Sequence, residues 1–202
     1  MKIERIAKYG SFASNMFFVS DGKLGVIIDP SLDFSTLCER VARTDICVTH
    51  CLLTHAHFDH FLAIDDILSM TGATLCVGRN DALALSDART NCYWQFLGKD
   101  MGYRGEYQAL SEGDRLTVGD LTIVVYETPG HTRGSLVFQI GNALFVGDLI
   151  FAGGGYGRCD LPGGDFEVLV RSIERVCAFP PDTVVYPGHG EPFYLSQYKP
   201  FY

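Results

Sequence analysis

The stretch LLTHAHFDHF, residues 52–61, places three histidines and an aspartate within six positions, directly after an apolar run. His55 and His57 are two residues apart in a segment that leaves a predicted strand, so an extended backbone would point both imidazoles to the same side. Asp59 and His60 follow where the chain is predicted to turn into a helix, and that bend can direct them towards a neighbouring point. The stretch therefore predicts ligands for one metal ion and places a second ion within reach.

Three further polar residues follow the same pattern, since each comes just after an apolar run that predicts a strand. His131 follows IVVYETPG, Asp148 follows ALFVG and His189 follows TVVYPG. Strand ends that each deliver an imidazole or a carboxylate, next to a turn-forming Gly, Pro or Thr, are what a site at the common edge of a sheet layer requires. We therefore expect these three residues to meet the cluster at 55–60.

The seven candidates divide between two metal ions. We assign His55, His57 and His131 to one ion and Asp59, His60 and His189 to the other, with Asp148 bridging the two. Imidazole together with carboxylate suits zinc, and also iron or manganese. The expected cofactors are therefore two divalent metal ions, zinc first, with iron and manganese as alternatives.

Length and charge limit the classes of function. A chain of 202 residues, 47% of them hydrophobic, can bury a substantial core, so we expect a single domain over residues 1–202. The formal net charge of −8 would repel nucleic acid and anionic lipid, and we expect a small-molecule substrate instead. The charged N-terminus does not resemble a secretory signal, and no stretch is long and apolar enough to predict a membrane span.

The cysteines argue for a reducing environment. Seven of them are scattered along the chain, mostly in apolar runs where a free thiol packs as a small hydrophobic group. There is no CxxC pair, so neither a thiolate metal site nor a redox dithiol is expected. This usage predicts a cytoplasmic protein.

The remaining pattern consists of two groups of strands, each followed by helix. The first group is predicted at 2–8, 15–21, 23–29, 46–54 and 73–78, with helices at 33–44 and 59–70. The second is predicted at 115–119, 120–128, 134–140, 142–147 and 182–188, with a helix at 165–179. Residues 79–110 carry a weaker pattern, with one helix predicted at 80–88. This order indicates a layered α/β protein rather than a doubly wound sheet.

The motifs T-H-A-H-F-D-H, T-P-G-H-T, G-D-L-I-F and P-G-H-G-E together resemble the metallo-β-lactamase superfamily, and within it the glyoxalase II-like hydrolases. The resemblance extends from NMFFVSD to GHGEP. It implies an αββα four-layer sandwich with a binuclear metal site at one edge, and it gives all seven candidates the role of ligands. Hydroxyacylglutathione hydrolases carry a C-terminal helical extension that helps to hold glutathione, whereas this sequence ends soon after His189, so the resemblance does not extend to glutathione specificity.

The resemblance also implies a reaction. A water shared by two metal ions loses a proton near neutral pH, and the resulting metal-bridging hydroxide is the expected nucleophile towards a thioester carbonyl. A metal ion would polarise the carbonyl oxygen and stabilise the oxyanion. Asp59, a ligand with a spare carboxylate oxygen, is predicted to orient the hydroxide and to pass its proton to the leaving group.

Other residues leave two interpretations open. The glycine-rich loop at 152–165 follows Asp148 directly, so it either approaches the substrate or only allows a tight crossing. Within it, Arg158 either binds an anionic end of the substrate or pairs with Asp160. The aromatic residues at 93, 94 and 96 either wall a pocket or form a separate hydrophobic cluster. His50 and His55 are an odd number of positions apart, so their side chains would point to opposite faces of the strand. We therefore expect a structural or surface role for His50.

Several other activities use a similar metal site. The first alternative is a persulfide dioxygenase with one iron, and a lactonase or phosphodiesterase is also possible. A penicillin hydrolase is disfavoured, because those enzymes carry a cysteine or an arginine where this chain has Asp148 or His60. An electron-transferring di-iron oxygen reductase is disfavoured as well, because it has Glu at the position of His57. A non-catalytic metal-binding or partner-docking module is a further alternative, disfavoured by the complete ligand set.

Overall fold

The computed structural model describes residues 1–6, 13–31 and 45–200. Within these ranges the chain forms two six-stranded sheets. The first contains β1 (Lys2–Ile6), β2 (Met16–Ser20), β3 (Leu24–Ile28), β4 (Cys47–Leu52), β5 (Thr74–Gly78) and β6 (Gln108–Leu110). The second contains β7 (Arg115–Val118), β8 (Leu121–Glu127), β9 (Leu136–Ile140), β10 (Ala143–Gly147), β11 (Val184–Pro187) and β12 (Phe193–Tyr194).

The strands of each sheet lie side by side in chain order. In the first sheet, β1, β2 and β3 pair antiparallel, and β3 to β6 pair parallel. In the second sheet, β7 to β10 form an antiparallel meander, β11 adds parallel to β10, and β12 adds antiparallel to β11. Because β8, β10 and β11 run in the same direction, their C-terminal ends meet at one edge.

Alternation along the strands divides the core into layers. In β2, Phe17 and Val19 face the cluster between the two sheets, whereas Met16 and Phe18 face the outer side of the first sheet. Phe17 contacts Phe145 of the second sheet edge-on, with ring centroids 5.3 Å apart. Strands that are buried on both faces read as continuous apolar runs, which explains why MFFVS and LGVII contain so few polar residues.

Helices cover both outer faces. Helix α1 (Ile64–Thr71) packs Ile64 and Ile67 against the first sheet. Helix α3 (Phe166–Cys177) packs Leu169, Ile173 and Val176 against the second, and Asp165 caps it by accepting a hydrogen bond from the Val168 N–H. The layers therefore run helix, sheet, sheet, helix, which confirms the predicted αββα sandwich.

The local predictions differ from the structure at five elements. The helix predicted over 59–70 is divided into a 3₁₀ turn, Phe58–His60, and α1, which begins only at Ile64. The helix predicted over 80–88 is a 3₁₀ helix, Ala82–Ser86. Helix α2 (Tyr93–Leu97) and the short strands β6 and β12 were not predicted. The helix predicted over 33–44 lies outside the described residues.

Short 3₁₀ helices also occur at Ala152–Gly154 and Leu195–Gln197. Among the helices of the described ranges, none has both the length and the apolar character needed to cross a bilayer.

Candidate metal centre

The predicted ligands all lie just beyond strand ends at one edge of the sandwich. His55 and His57 follow β4, His131 follows β8, Asp148 follows β10 and His189 follows β11. Asp59 and His60 lie on the 3₁₀ turn Phe58–His60, which directs them back towards the same edge. The two sheets are joined there by a hydrogen bond from the Leu136 N–H to the Thr54 carbonyl, 2.7 Å long.

His55, His57 and His131 form a first group, in which one nitrogen of each ring lies within 4.8 Å of the others. His57 Nδ1 is 2.9 Å from His131 Nε2, and that atom is 3.2 Å from His55 Nε2. All three side chains are buried. Three buried imidazoles with facing nitrogens form a set of donors for one metal ion.

Asp59, His60 and His189 form a second group, also within 4.8 Å. Asp59 Oδ2 is 3.2 Å from His189 Nε2 and 3.8 Å from His60 Nε2. A carboxylate and two imidazoles provide oxygen and nitrogen donors of the kind that zinc and iron accept.

Asp148 lies between the two groups. Its Oδ1 is 3.4 Å from His60 Nε2, and its Oδ2 is 3.8 Å from His131 Nε2 and 3.6 Å from His189 Nε2. Oδ2 is thus close to both groups, and Oδ1 is close to the second. This is the position that the sequence predicted for a bridging residue.

Hydrogen bonds on the outer side of three imidazoles fix which nitrogen faces the cluster. His131 Nδ1 lies 2.6 Å from the Arg158 carbonyl, and His60 Nδ1 lies 2.9 Å from Asp29 Oδ2. Because both oxygens are acceptors, each Nδ1 carries a proton. The neutral imidazole then leaves Nε2 without one, as a metal ligand requires.

His55 is held in the same way through Thr54. The Thr54 hydroxyl donates to Asp29 Oδ2 over 2.8 Å, so it can accept from His55 Nδ1, which is 3.2 Å away. Asp29 also accepts a 2.8 Å hydrogen bond from the Thr54 N–H. One buried carboxylate thus orients an imidazole of each metal group.

A second buried carboxylate, Asp81, holds the loops together. It accepts hydrogen bonds from the Ala56 N–H (3.0 Å), the Thr132 hydroxyl (2.7 Å) and the Gly134 N–H (2.7 Å). Ala56 lies between the two histidines of the first motif, and Thr132 follows His131. Asp81 therefore fixes the separation between two strand ends that belong to different sheets.

Burial and local charge set the protonation of the ligands. Burial and the surrounding imidazoles lower the pKa of His55 well below its usual value, and burial with the neighbouring His131 lowers the pKa of His57 to about 3. Both are neutral near pH 7 and can donate a lone pair. Burial opposes protonation of His60, but Asp29, Asp148 and Asp59 outweigh it and raise the pKa of His60 well above its usual value.

The comparisons with known proteins agree with this fold. The family model described as the metallo-beta-lactamase superfamily matches residues 9–189. The chain belongs to the metallo-β-lactamase superfamily. Its sequence and fold are those of a metal-dependent hydrolase of that superfamily.

A beta-lactamase hydrolase-like protein of Agrobacterium fabrum (strain C58) is 34% identical over 191 residues, which cover 87% of this chain. The aligned region spans 44% of the length of that relative.

Two crystal structures match over nearly the whole chain. The BLEG-1 B3 metallo-beta-lactamase is 30% identical, with a TM-score of 0.90, over 97% of this chain and 95% of that one. TTHA1623, in a di-iron-bound form, is 31% identical, with a TM-score of 0.82, over 95% of this chain and 94% of that one.

The candidate ligands of this superfamily member fit the binding of metal, and two buried atoms of the structure support this. His60 Nε2 and Asp148 Oδ1 are buried and have no hydrogen-bond partner among the described residues. Buried polar atoms without partners are costly, at roughly 1–3 kcal/mol each, so they indicate an absent ligand. The first group would hold one ion, and His60, Asp59 and His189 would hold the other, with Asp148 shared.

Close approach of glycine backbone makes room for these ligands. A Cβ at Gly157 would overlap the Asp148 carbonyl and lie 3.0 Å from His131 Nδ1. A Cβ at Gly188 would overlap the Asp148 carboxylate and lie 2.7 Å from His60 Cε1. The glycine-rich loop at 152–165 therefore lies beside the site, where it packs against the ligands.

Two cavities open beside the ligands, and His57 lines both. The smaller, of about 110 Å³, is lined by His57, Asp59, His131, Asp148 and Arg158, together with the apolar side chains of Phe58, Cys92, Phe96 and Leu161. The larger, of about 450 Å³, extends past Ala56, Thr132, Arg133, Pro162 and Gly163 towards Asp81, Leu83 and Asp87. We call them the small cavity and the large cleft.

The structure also places the residues whose roles the sequence left open. Arg158 lines the small cavity, but its guanidinium forms a two-pronged ion pair with Asp160, at 2.7 and 2.6 Å. Of the aromatic residues, Phe96 lines the small cavity, and Tyr93 packs on Phe58, with ring centroids 5.3 Å apart. His50 belongs to neither metal group.

Sequence reasoning missed Asp29 and Asp81. Asp29 carried a weak signal, since it ends an apolar strand in the same way as the ligands do. Asp81 carried none, because its partners lie 25 to 53 positions away and are brought together only by the fold.

Proposed function

We propose that this chain is a hydrolase of thioesters, of the glyoxalase II-like kind, and that it binds two divalent metal ions. Zinc is the first choice of metal, with iron or manganese as alternatives. The observation that carries the proposal is the position of Asp148, whose two oxygens lie within 3.8 Å of ligand atoms from both metal groups. A pair of ions that share a ligand is the arrangement used to activate water for hydrolysis.

When bound, the two ions would supply a water of lowered pKa and a Lewis acid for the carbonyl oxygen of the substrate. The protein supplies their positions. His131 is oriented by the Arg158 carbonyl, His60 by Asp29, and His55 by Thr54. Because these groups are already in place before substrate arrives, little free energy is spent on reorganisation during the reaction.

Asp59 is the proposed acid–base residue. Its Oδ2 lies 3.2 Å from His189 Nε2, whereas no described residue hydrogen-bonds to its Oδ1, and the residue lines the small cavity. Oδ1 would accept a proton from the attacking water and pass it to the leaving sulfur. The water oxygen forms a bond to the acyl carbon, the C–S bond breaks, and the products are a carboxylic acid and a thiol.

The small cavity supports an acyl substrate. Phe58, Phe96 and Leu161 provide an apolar wall that faces the ligand groups. An apolar acyl group placed there would bring its carbonyl carbon to the edge where both metal groups meet. The motif set adds support, since it resembles that of glyoxalase II-like hydrolases.

Hydrolysis of β-lactams is a second candidate. The observation that favours it is the 30% identity and TM-score of 0.90 with the BLEG-1 B3 metallo-beta-lactamase. A β-lactam is a strained amide; a water activated at the same site would form a bond to its carbonyl carbon, and the amide C–N bond would break.

The experiment that tests the proposal combines metal analysis with a substrate panel. Protein purified without added metal and then loaded with zinc, iron or manganese should bind two ions per chain. It should hydrolyse thioesters faster than β-lactams, lactones or phosphodiesters. One bound iron with oxygen consumption would identify a persulfide dioxygenase instead, and faster turnover of β-lactams would favour the second candidate.

The role of Asp59 is tested separately. Asp59→Asn should retain metal, in part or in full, and lose at least 100-fold in kcat, the usual contribution of a positioned acid–base group. Asp66→Asn, an exposed carboxylate on α1, is the matched control and should behave as wild type. A fully loaded Asp59→Asn variant with unchanged turnover would rule out the acid–base role.

A further inference from the structure

The large cleft and the small cavity meet at His57, so a substrate that reaches the metal groups can extend into both. Their sizes differ. The large cleft, about 450 Å³, is within the ~300–1,000 Å³ range of small-molecule sites, whereas the small cavity, about 110 Å³, is well below it. The larger part of a substrate therefore belongs in the large cleft.

Arg133 is the cationic residue of the large cleft. Among the described residues its guanidinium has neither a hydrogen bond nor an ion pair. The nearby arginines are engaged: Arg158 is paired with Asp160, and Arg89 lies over the Trp94 ring at 5.3 Å. A guanidinium presents several N–H donors in a planar fork that matches carboxylate and phosphate oxygens.

The backbone on both sides of Arg133 is fixed. The Thr132 hydroxyl and the Gly134 N–H both donate to Asp81, at 2.7 Å each. The stem of Arg133 runs beside Gly163, where an added Cβ would lie 3.4 Å from Arg133 Cγ. The arginine thus starts from a rigid position two residues after the metal-group residue His131, while its charged end stays available to a ligand.

The acidic residues of the cleft are already engaged with the protein. Asp81 is buried and accepts three hydrogen bonds, as described above. Asp87 accepts hydrogen bonds from the Thr90 hydroxyl and the Arg89 N–H within its own turn. Of the charged groups that line the cleft, the guanidinium is the one without a partner in the described part of the chain.

We infer that Arg133 is a specificity-determining residue that binds an anionic group, a carboxylate or a phosphate, on the thiol portion of the thioester. The acyl portion then occupies the small cavity, and the thiol portion leaves through the large cleft. This inference rests on the proposed function. It assigns the anion to Arg133 rather than to Arg158, whose charge is already met by Asp160.

The test compares thioesters that share one acyl group and differ only in the charge of the thiol. Four thiols are used: one with a carboxylate, one with a phosphate, one neutral and one with an ammonium group. For Arg133→Gln we expect KM for the better anionic substrate to rise about tenfold, the size typical of one lost charged hydrogen bond, with kcat unchanged. KM for the neutral substrate should not change, and Arg133→Lys should recover part of the loss. The two anionic arms show whether carboxylate or phosphate is preferred.

Arg115→Gln is the matched control, because Arg115 is exposed on β7 and lines neither cavity. It should have wild-type KM for every substrate. Titration calorimetry of the free anionic thiols into metal-loaded wild type and Arg133→Gln gives a second readout that does not need turnover. The variant should bind the anionic thiol about tenfold more weakly.

The outcomes separate the inference from the function on which it rests. If wild-type protein hydrolyses thioesters but ignores the charge of the thiol, or prefers the ammonium thiol, the role of Arg133 is refuted and the proposed function stands. If no thioester is hydrolysed, the proposed function fails, and equal binding of the anionic thiol by wild type and Arg133→Gln would refute the anion site as well.

Discussion

Asp29 Oδ2 lies 2.9 Å from His60 Nδ1, and both side chains are buried. Asp29 comes directly after β3 and has a backbone φ of 52°, a left-handed conformation that non-glycine residues seldom adopt. Its carboxylate is fully used by His60 and by the N–H and hydroxyl of Thr54. This backbone conformation places one carboxylate where it holds His60 of the second metal group and Thr54, which orients His55 of the first. Strained backbone of this kind is common at functional sites.

We expect Asp29→Asn to weaken binding of the second metal ion by about 10- to 100-fold, the usual cost of losing the partner of a metal-binding histidine. The amide cannot accept all three hydrogen bonds, so His60 loses its fixed tautomer. At limiting metal, the ratio should fall from two ions per chain towards one, as measured by equilibrium dialysis with metal analysis.

Asp21→Asn is the control for Asp29→Asn. Asp21 also accepts backbone N–H groups, but from Lys23 and Leu24 at the opposite end of β3 and from Asp120, between β7 and β8 of the second sheet, so the variant should keep two ions. Full metal content in Asp29→Asn would show that the carboxylate does not support His60.

The sequence predicted the clustering of the seven candidate residues and the layers of the fold for a common physical reason. Both depend on strands, and strand patterns repeat every two residues over short, apolar runs that are easily recognised. A polar residue such as His131 or Asp148 at the end of such a run stands out, and all seven predicted residues lie in the two groups described above or bridge them. The continuous apolar run of β2 likewise fits a strand buried on both faces, whose alternate side chains enter two of the three core clusters.

The parts that were not predicted depend on contacts distant in sequence. Asp81 joins residues from two other segments, and none of those pairings leaves a local pattern. The helix predicted over 59–70 is confirmed only from Ile64 onwards. A 3₁₀ turn takes the place of its first turn and directs Asp59 and His60 towards the site. Helix α2 is only five residues long, too short for a periodic signal.

Gly157→Ala should lower metal content even though the change adds only one methyl group. The new Cβ would overlap the Asp148 carbonyl and press on His131 Nδ1, which would displace both the residue between the two groups and a member of the first group. Gly155→Ala is the matched control in the same loop, since its Cβ meets Phe151 at an ordinary 3.8 Å and its φ is −69°. We expect Gly155→Ala to bind metal as wild type does, and equal metal content in the two variants would contradict the prediction.

Metal binding should release protons, and the second group should be the source. Burial lowers the pKa of His60, but the surrounding carboxylates outweigh it and raise the pKa well above 6.5, so His60 is protonated in the metal-free protein near neutral pH. A ligand must lose that proton before it binds a cation. Metal affinity should therefore increase as pH rises through the pKa of His60 and decrease as pH falls.

Calorimetric titration of zinc in buffers with different ionisation enthalpies measures this release. We expect about one proton or more for the ion bound by the second group and fewer for the ion bound by the first, since His55 and His57 are already neutral. Equal heats in all buffers would show that no proton leaves on binding.

Phe96→Ala should change the choice of acyl group. Phe96 lines the small cavity, and its ring lies 5.8 Å from that of Phe58. Removing a partly exposed ring from an apolar wall should cost about 1 kcal/mol for a substrate that packs against it, or roughly fivefold in kcat/KM. The loss should appear with long or aromatic acyl thioesters and be absent with acetyl thioesters, which are too short to reach the ring.

Trp94→Ala is the control for Phe96→Ala, because Trp94 lies on the same helix α2, is similarly exposed and lines neither cavity. It should leave the ratio of kcat/KM between long and short acyl groups unchanged. If Phe96→Ala and Trp94→Ala lower activity equally for all acyl groups, the effect comes from the stability of α2, and the acyl group binds elsewhere. Thermal unfolding of the two variants, measured alongside the kinetics, separates these cases, because a purely structural effect would lower Tm in step with activity.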